Sequence, residues 1–198
     1  MSSVVISGDT SGAITLAAPT VAGTNTITLP AVTGTAVVAG QNSAITAATA
    51  QASTSGTSID FTSIPSWVKR VTVVFNGMGT SGTSAKQIQL GSGSAQTTGY
   101  VTNSIVFGGV SLTNTQYTTA FVMGSTTAAD RLSGSVVFNL VTSSTNNWAG
   151  QGSYASVNGN NGLTMGGVTL SGTLDRVRIT TANGTDTFAA GSINILYE

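Results

Sequence analysis

Trp67-Val68-Lys69-Arg70-Val71-Thr72-Val73-Val74-Phe75-Asn76 is the stretch that decides the fold class. In an extended chain, successive side chains point to opposite faces. Trp67, Val71, Val73 and Phe75 then share one face, and Arg70, Thr72 and Asn76 the other. Lys69 falls on the apolar face near its start, from where its stem reaches the rim. This alternation marks a half-buried strand. Downstream, Ile88 and Leu90 alternate with Gln87 and Gln89, and further strand-like runs cover 100–107, 117–123, 135–141, 163–170, 174–181 and 193–197. That makes about eight strands separated by Gly, Ser and Asn turns. Asn183-Gly184, before the last run, predicts a type I′ hairpin turn. Nothing reads as a long amphipathic helix. Serial strands without helices predict an all-β domain over residues 58–198, a jelly-roll-like β-sandwich.

Upstream the pattern changes twice. Residues 41–57 are rich in Ala, Ser and Thr, enough for one or two marginal helical turns, and read as a linker. Residues 1–40 carry a short motif twice: Pro19-Thr20-Val21-Ala22-Gly23-Thr24 and Pro30-Ala31-Val32-Thr33-Gly34-Thr35. Each copy follows a strand-like run, Ile14-Thr15-Leu16 or Ile27-Thr28-Leu29. Pro fixes φ and Gly permits positive φ, so each copy reads as a strand followed by a turn. Such units bury their apolar side only against neighbours. The neighbours are either the same segment of two other chains or a larger protein on which the segment docks. An extended strand-turn segment that anchors or trimerises is therefore predicted at 1–40, with Val4, Ile6, Ile14, Leu16, Val21, Ile27 and Leu29 as its apolar contacts.

Composition narrows the function. The chain has no Cys, no His, and only six basic and six acidic residues. A Ser–His or Cys–His catalytic pair cannot be built from it. With no net charge there is no basic stripe to displace counterions from nucleic acid, and no basic amphipathic helix for a membrane surface. No apolar run is long enough to span a bilayer. The hydrophobic share of 40% is close to that of ordinary globular proteins, so low charge here does not mean disorder. The N-terminus has neither a positive start nor an apolar core of signal-peptide length, which predicts a cytoplasmic start. The composition nevertheless suits an extracellular adhesin. A virion component, assembled in the host cytoplasm and freed by lysis, reconciles the two.

Particular residues point the same way. The run Gly12-Ala13-Ile14-Thr15-Leu16-Ala17-Ala18-Pro19 through Thr26-Ile27-Thr28-Leu29-Pro30 resembles N-terminal segments of tail-fibre and virion appendage proteins of tailed bacteriophages, marine and cyanobacterial ones especially. Ile64-Pro65-Ser66-Trp67-Val68-Lys69-Arg70-Val71, Gly172-Thr173-Leu174-Asp175-Arg176-Val177-Arg178-Ile179-Thr180, and the stretch from Asn183 to Glu198 resemble a C-terminal domain recurring in those proteins. The resemblance implies a trimeric, non-enzymatic virion component. It leaves tail and head locations open.

Two groups of residues are candidates for recognition. Asn146-Asn147-Trp148-Ala149-Gly150-Gln151-Gly152-Ser153-Tyr154, followed by Asn158-Gly159-Asn160-Asn161-Gly162, reads as aromatic side chains set among amides in glycine-rich turns. Aromatic faces stack on sugars and amides match their hydroxyls, so Trp148, Gln151, Tyr154, Asn158, Asn160 and Asn161 are candidate glycan contacts. The competing reading has Trp148 plugging the end of the sandwich. Arg176 and Arg178 share one strand face and invite pairing with Asp175, Asp186 or a second subunit. The remaining carboxylates suit ion pairing and turn capping better than a two-carboxylate glycosidase. No cofactor or metal is predicted. The expectation is a homotrimeric bacteriophage appendage that displays a β-sandwich to a host-surface glycan and binds other virion proteins. The alternatives are a capsid decoration protein or head fibre, and a polysaccharide depolymerase spike.

Overall fold

The computed structural model describes residues 3–7, 13–17, 45–108, 111–124, 127–128 and 130–198. Among these residues every regular element is a β-strand and every pairing is antiparallel. The chain divides into two units, Met1–Ala36 and Val37–Glu198.

In the first unit, β1 (Ser3–Ser7) and β2 (Ala13–Ala17) form a hairpin. Its register sets Val4 opposite Leu16 and Ile6 opposite Ile14, positions of one pleat face, with Val5 opposite Thr15 on the other. Val21, Ile27, Leu29 and the repeated Pro/Gly motif lie outside the described residues.

The second unit contains two sheets. The strands are β3 (Thr46–Ala47), β4 (Gln51–Ala52), β5 (Ser58–Thr62), β6 (Arg70–Thr80), β7 (Lys86–Ser92), β8 (Ser94–Ala95), β9 (Tyr100–Gly108), β10 (Ser111–Tyr117), β11 (Phe121–Met123), β12 (Leu132–Thr142), β13 (Asn147–Ser156), β14 (Asn161–Thr169), β15 (Arg176–Thr181) and β16 (Phe188–Tyr197). The larger sheet runs β10-β9-β14-β13-β12-β6-β16-β3, with β4 also on β16. The smaller runs β11-β7-β15-β5, with β8 on β7.

Both sheets feed one hydrophobic cluster. Val71, Val73, Phe75, Val136, Phe138, Ile193 and Ile195 come from the larger sheet, and Ile59, Phe61, Ile88, Leu90, Val177 and Ile179 from the smaller. Each such side chain contributes about 1.5–3 kcal/mol by leaving water. Phe121 joins the layers: its ring meets Tyr100 edge-on at 5.7 Å and Phe138 at 4.9 Å. Where β6 meets β16 the register shifts twice, near Ala190. Gly191 sits there at φ 91°, and a Cβ on it would stand 2.4 Å from the Gly77 carbonyl carbon, so only glycine fits.

The alternation of Val71, Val73 and Phe75 into the core is borne out. Four other expectations are corrected. Trp67 precedes β6, so the strand period does not govern it; it is 43% exposed and its ring lies 5.9 Å from that of Tyr197. Residues 117–123 are not one strand. β10 ends at Tyr117 and β11 begins at Phe121 in the other sheet, with the Thr102 hydroxyl donating to the Ala120 carbonyl (2.6 Å) at the crossing. Asn183-Gly184 does not close a hairpin, because β15 and β16 belong to different sheets. Gly184 has φ 68° but Asn183 is not in the positive region; the Asn183 side-chain oxygen instead accepts from the Thr185 and Asp186 amides, a local Asx arrangement. Finally, the predicted linker is partly sheet. β3 and β4 pair with β16, and Ser53 donates its hydroxyl to the Ala190 carbonyl at 2.7 Å.

Candidate functional site

Sequence reading takes residues 146–154 for turns, but most of them form strand β13. Its period sends Trp148, Gly150 and Tyr154 inward, and Ala149, Gln151 and Ser153 outward. Trp148 is 3% exposed and Tyr154 4%. Neither ring is open to a sugar approaching from solvent, which corrects their assignment as stacking residues. The glycines make room for rings. Phe138 on β12 is the cross-strand partner of Gly150, and a Cβ at Gly150 would fall 2.5 Å from the Phe138 ring. Tyr154 is the partner of Gly162 on β14, and a Cβ there would fall 2.2 Å from the Tyr154 ring. The Tyr154 hydroxyl accepts from the Gly124 amide at 2.7 Å, and burial pushes its pKa up. Trp148 Nε1 is buried with no partner among the described residues, and its ring belongs to the hydrophobic core.

The amides of the same group scatter. Gln151 points to the outer face of the larger sheet, beside Val137, Leu163 and Met165. Asn158 donates to Asp130 Oδ1 at 2.7 Å and to the Thr127 hydroxyl at 3.2 Å, in a turn. The Asn160 carbonyl accepts from the Ser156 amide, and Asn161 is exposed on β14. The six residues do not converge on one surface.

Asp130 is the centre of a buried polar network. Its carboxylate also accepts from the Ser156 hydroxyl at 2.7 Å and the Thr127 amide at 3.2 Å. Buried Lys86 donates to the Asp130 main-chain carbonyl at 3.3 Å. Burial lowers the Lys86 pKa, opposed by the charges of Asp130 and Asp186. These groups hold the fold together, since each is committed inside it.

The arginine pairing predicted from sequence is found, with one change of partner. Arg176 pairs with Asp175 at 2.9 Å, and the hydrogen bond from Arg176 holds the Asp175 carboxyl below its ordinary range. Arg178 reaches across to β5: its Nε and Nη2 donate to the two oxygens of Asp60 at 2.7 and 2.9 Å. This fork raises the Arg178 pKa. Asp186, expected as a possible partner, instead accepts from Asn183 Nδ2 and the Ser84 amide, and these bonds lower its pKa.

Around that fork the structure presents an open polar cleft, about 400 Å³, on the outer face of the smaller sheet. Strand register sets Ser58, Thr180 and Gln87 in one row of it and Arg178 and Gln89 in the next, with Asp60 beyond Arg178 outside the cleft wall. Gln87 and Gln89 are 6% and 4% exposed, so they form its floor. Gln89 Nε2 donates weakly to the Thr119 carbonyl at 3.5 Å. The Gln87 amide makes no hydrogen bond among the described residues. Sequence reading missed this site, although the Gln87/Gln89 alternation that builds its floor was visible. Among the described residues no group of His, Cys, Asp or Glu is placed to hold a metal ion. No protein family, curated protein or solved structure matches this chain.

Proposed function

We propose that this chain is a structural protein of a bacteriophage virion. In this reading it is a homotrimeric appendage, held on the particle by its N-terminal segment and displaying a jelly-roll-like sandwich to the host surface. The observation that carries the reading is the division into two units, a small one with a strand hairpin and a large one with the two-sheet core. The repeated strand-turn motif of the first needs neighbours to cover its apolar side, and a virion or two sister segments would supply them. In the second, successive strands cross repeatedly between sheets, β5 to β6 to β7 to β9, then β11 to β12 and β15 to β16, as jelly rolls do.

Two further features support display and packing rather than catalysis. Each carboxylate among residues 45–198 is engaged: Asp60 by Arg178, Asp130 by Ser156 and Asn158, Asp175 by Arg176, Asp186 by Asn183, and Glu198 by Arg70 at 2.8 Å. A glycosidase would need one carboxyl free to donate a proton and another to attack or activate water. In addition, the outer face of the larger sheet carries Val137 and Met165 in one row and Leu163 in the next, among Ser, Thr, Gln and Asn, with no charge in those two rows; Arg70, paired with Glu198, lies in the neighbouring row that holds Val101. A second copy of this net-neutral chain can cover the two uncharged rows without desolvating ions.

Immunogold labelling of purified particles tests the location. Label on tails supports the reading, label on heads makes the chain a capsid decoration protein or head fibre, and unlabelled particles overturn it. Light scattering tests assembly: a mass near three times 19.7 kDa is expected, and a monomer at micromolar concentration removes the trimer.

A further inference from the structure

We infer that the cleft on the outer face of the smaller sheet is a binding site for a neutral oligosaccharide. The inference deepens the display reading and rests on it for its biological setting, while the site itself is argued from geometry.

The floor is polar where a sheet surface is normally either apolar and covered or polar and solvated. Gln87 is 6% exposed and its side-chain amide makes no hydrogen bond to the described residues, so the amide group at the floor is open to a ligand entering the cleft. Gln89 uses one weak bond, leaving its side-chain oxygen open. Arg178 spends Nε and Nη2 on Asp60, which leaves both Nη1 hydrogens unused. The cleft therefore offers both donors and acceptors from its Gln and Thr side chains and Arg178, as a ligand made of hydroxyl groups requires, since each hydroxyl both gives and takes a hydrogen bond.

Charge sets the class of ligand. The one cation in the rows is matched by a carboxylate in bidentate geometry, so the cleft is neutral overall. A phosphate or sulfate would meet a cation already neutralised by Asp60, with that carboxylate beside it. A neutral sugar needs no free cation. Size agrees, because an open cleft of about 400 Å³ admits a few sugar residues. No aromatic ring lines the cleft, so binding rests on hydrogen bonds worth about 1 kcal/mol net each. A single site is then weak, and a multivalent particle supplies the avidity.

The test uses the full chain and follows its side-chain amide resonances by NMR during titration with maltohexaose, cellohexaose, laminarihexaose and, as the anionic control, hyaluronan hexasaccharide. At least one neutral hexasaccharide should shift the Gln87 and Gln89 amide signals, and the hyaluronan fragment should not. Gln87→Ala and the size-matched Gln87→Glu should each weaken that binding by about tenfold. Gln151→Ala, on the opposite sheet, should leave it unchanged. Melting curves identify any variant that fails to fold, and the wild-type titration stands without them. Shifts confined to other residues, binding unaffected by both Gln87 variants, or no shift with any neutral sugar each overturn the site. Particle labelling separates this from the display reading: a labelled particle whose protein ignores all the sugars loses only the cleft, and a sugar-binding protein absent from particles loses only the virion role.

Discussion

The glycine-rich strands β13 and β14 and the outer face of the smaller sheet invert each other. The first has the residue types of a recognition site, with Trp148 and Tyr154 among amides and glycines, and is core. The second has the residue types of plain surface, with Gln, Thr and an ion pair, and is an open cleft. The difference lies in which way the pleat turns and in what stands opposite. Tyr154 faces Gly162 and Phe138 faces Gly150, so each ring occupies the space that a side chain on its partner would fill. Gln87 faces Thr180 and Gln89 faces Arg178, whose side chains leave the amides at the bottom of a depression.

The contrast is broken most severely at the rings. Trp148→Ala and Tyr154→Ala should each cost about 3–5 kcal/mol in denaturant unfolding, as large aromatic truncations in cores do. Near-normal stability in both would return them to the surface and restore a stacking role. Gly162→Ala comes next, costing about 1–3 kcal/mol by driving a methyl into the Tyr154 ring. In the Tyr154→Ala background most of that cost should disappear, because the clash is then gone. Additive costs would show that the glycine serves its backbone and not the ring.

On the other face the effects are smaller. A double-mutant cycle on Arg178 and Asp60 should give a coupling of about 0.2–1 kcal/mol, since both side chains are about a third exposed. A coupling several times larger would mean the pair is shielded and the cleft closed. The smallest effect is in acid. Asp186 has its pKa lowered in the fold by the Asn183 and Ser84 hydrogen bonds. Such a group adds stability above the unfolded pKa, about 3.9, and loses it as pH falls through the folded value. The melting-temperature advantage of wild type over Asp186→Asn should therefore shrink below about pH 4. Parallel curves down to pH 2 would show that the Asx turn does not sense this proton.

Much of the second unit was legible because strand period is a local property. Val71, Val73 and Phe75, or Ile88 and Leu90, announce their faces without knowing their partners. The pairing of Arg178 was half legible: sparse charge on one strand face demanded a carboxylate, but only sheet order makes it Asp60. The candidate contact site was misread because glycine next to an aromatic residue has two meanings. In a loop it supplies freedom of φ, and in a sheet it supplies empty space for a cross-strand ring. Local sequence does not distinguish them. The Asn183-Gly184 signal failed similarly, since a tight turn can also hand the chain from one sheet to the other.

By itself, then, the sequence determined that this protein is built of strands, that its side chains include no thiol or imidazole, and that its charged groups are few and balanced. Those follow from residue type and short-range alternation. Tertiary structure alone decided that Trp148 and Tyr154 are core, that β15 and β16 part into different sheets, and that Gln87, Gln89 and Arg178 line one cleft. The physical reason is that antiparallel register brings together residues far apart in the chain, such as Asp60 and Arg178, and the packing of one sheet on another chooses which faces are closed to water.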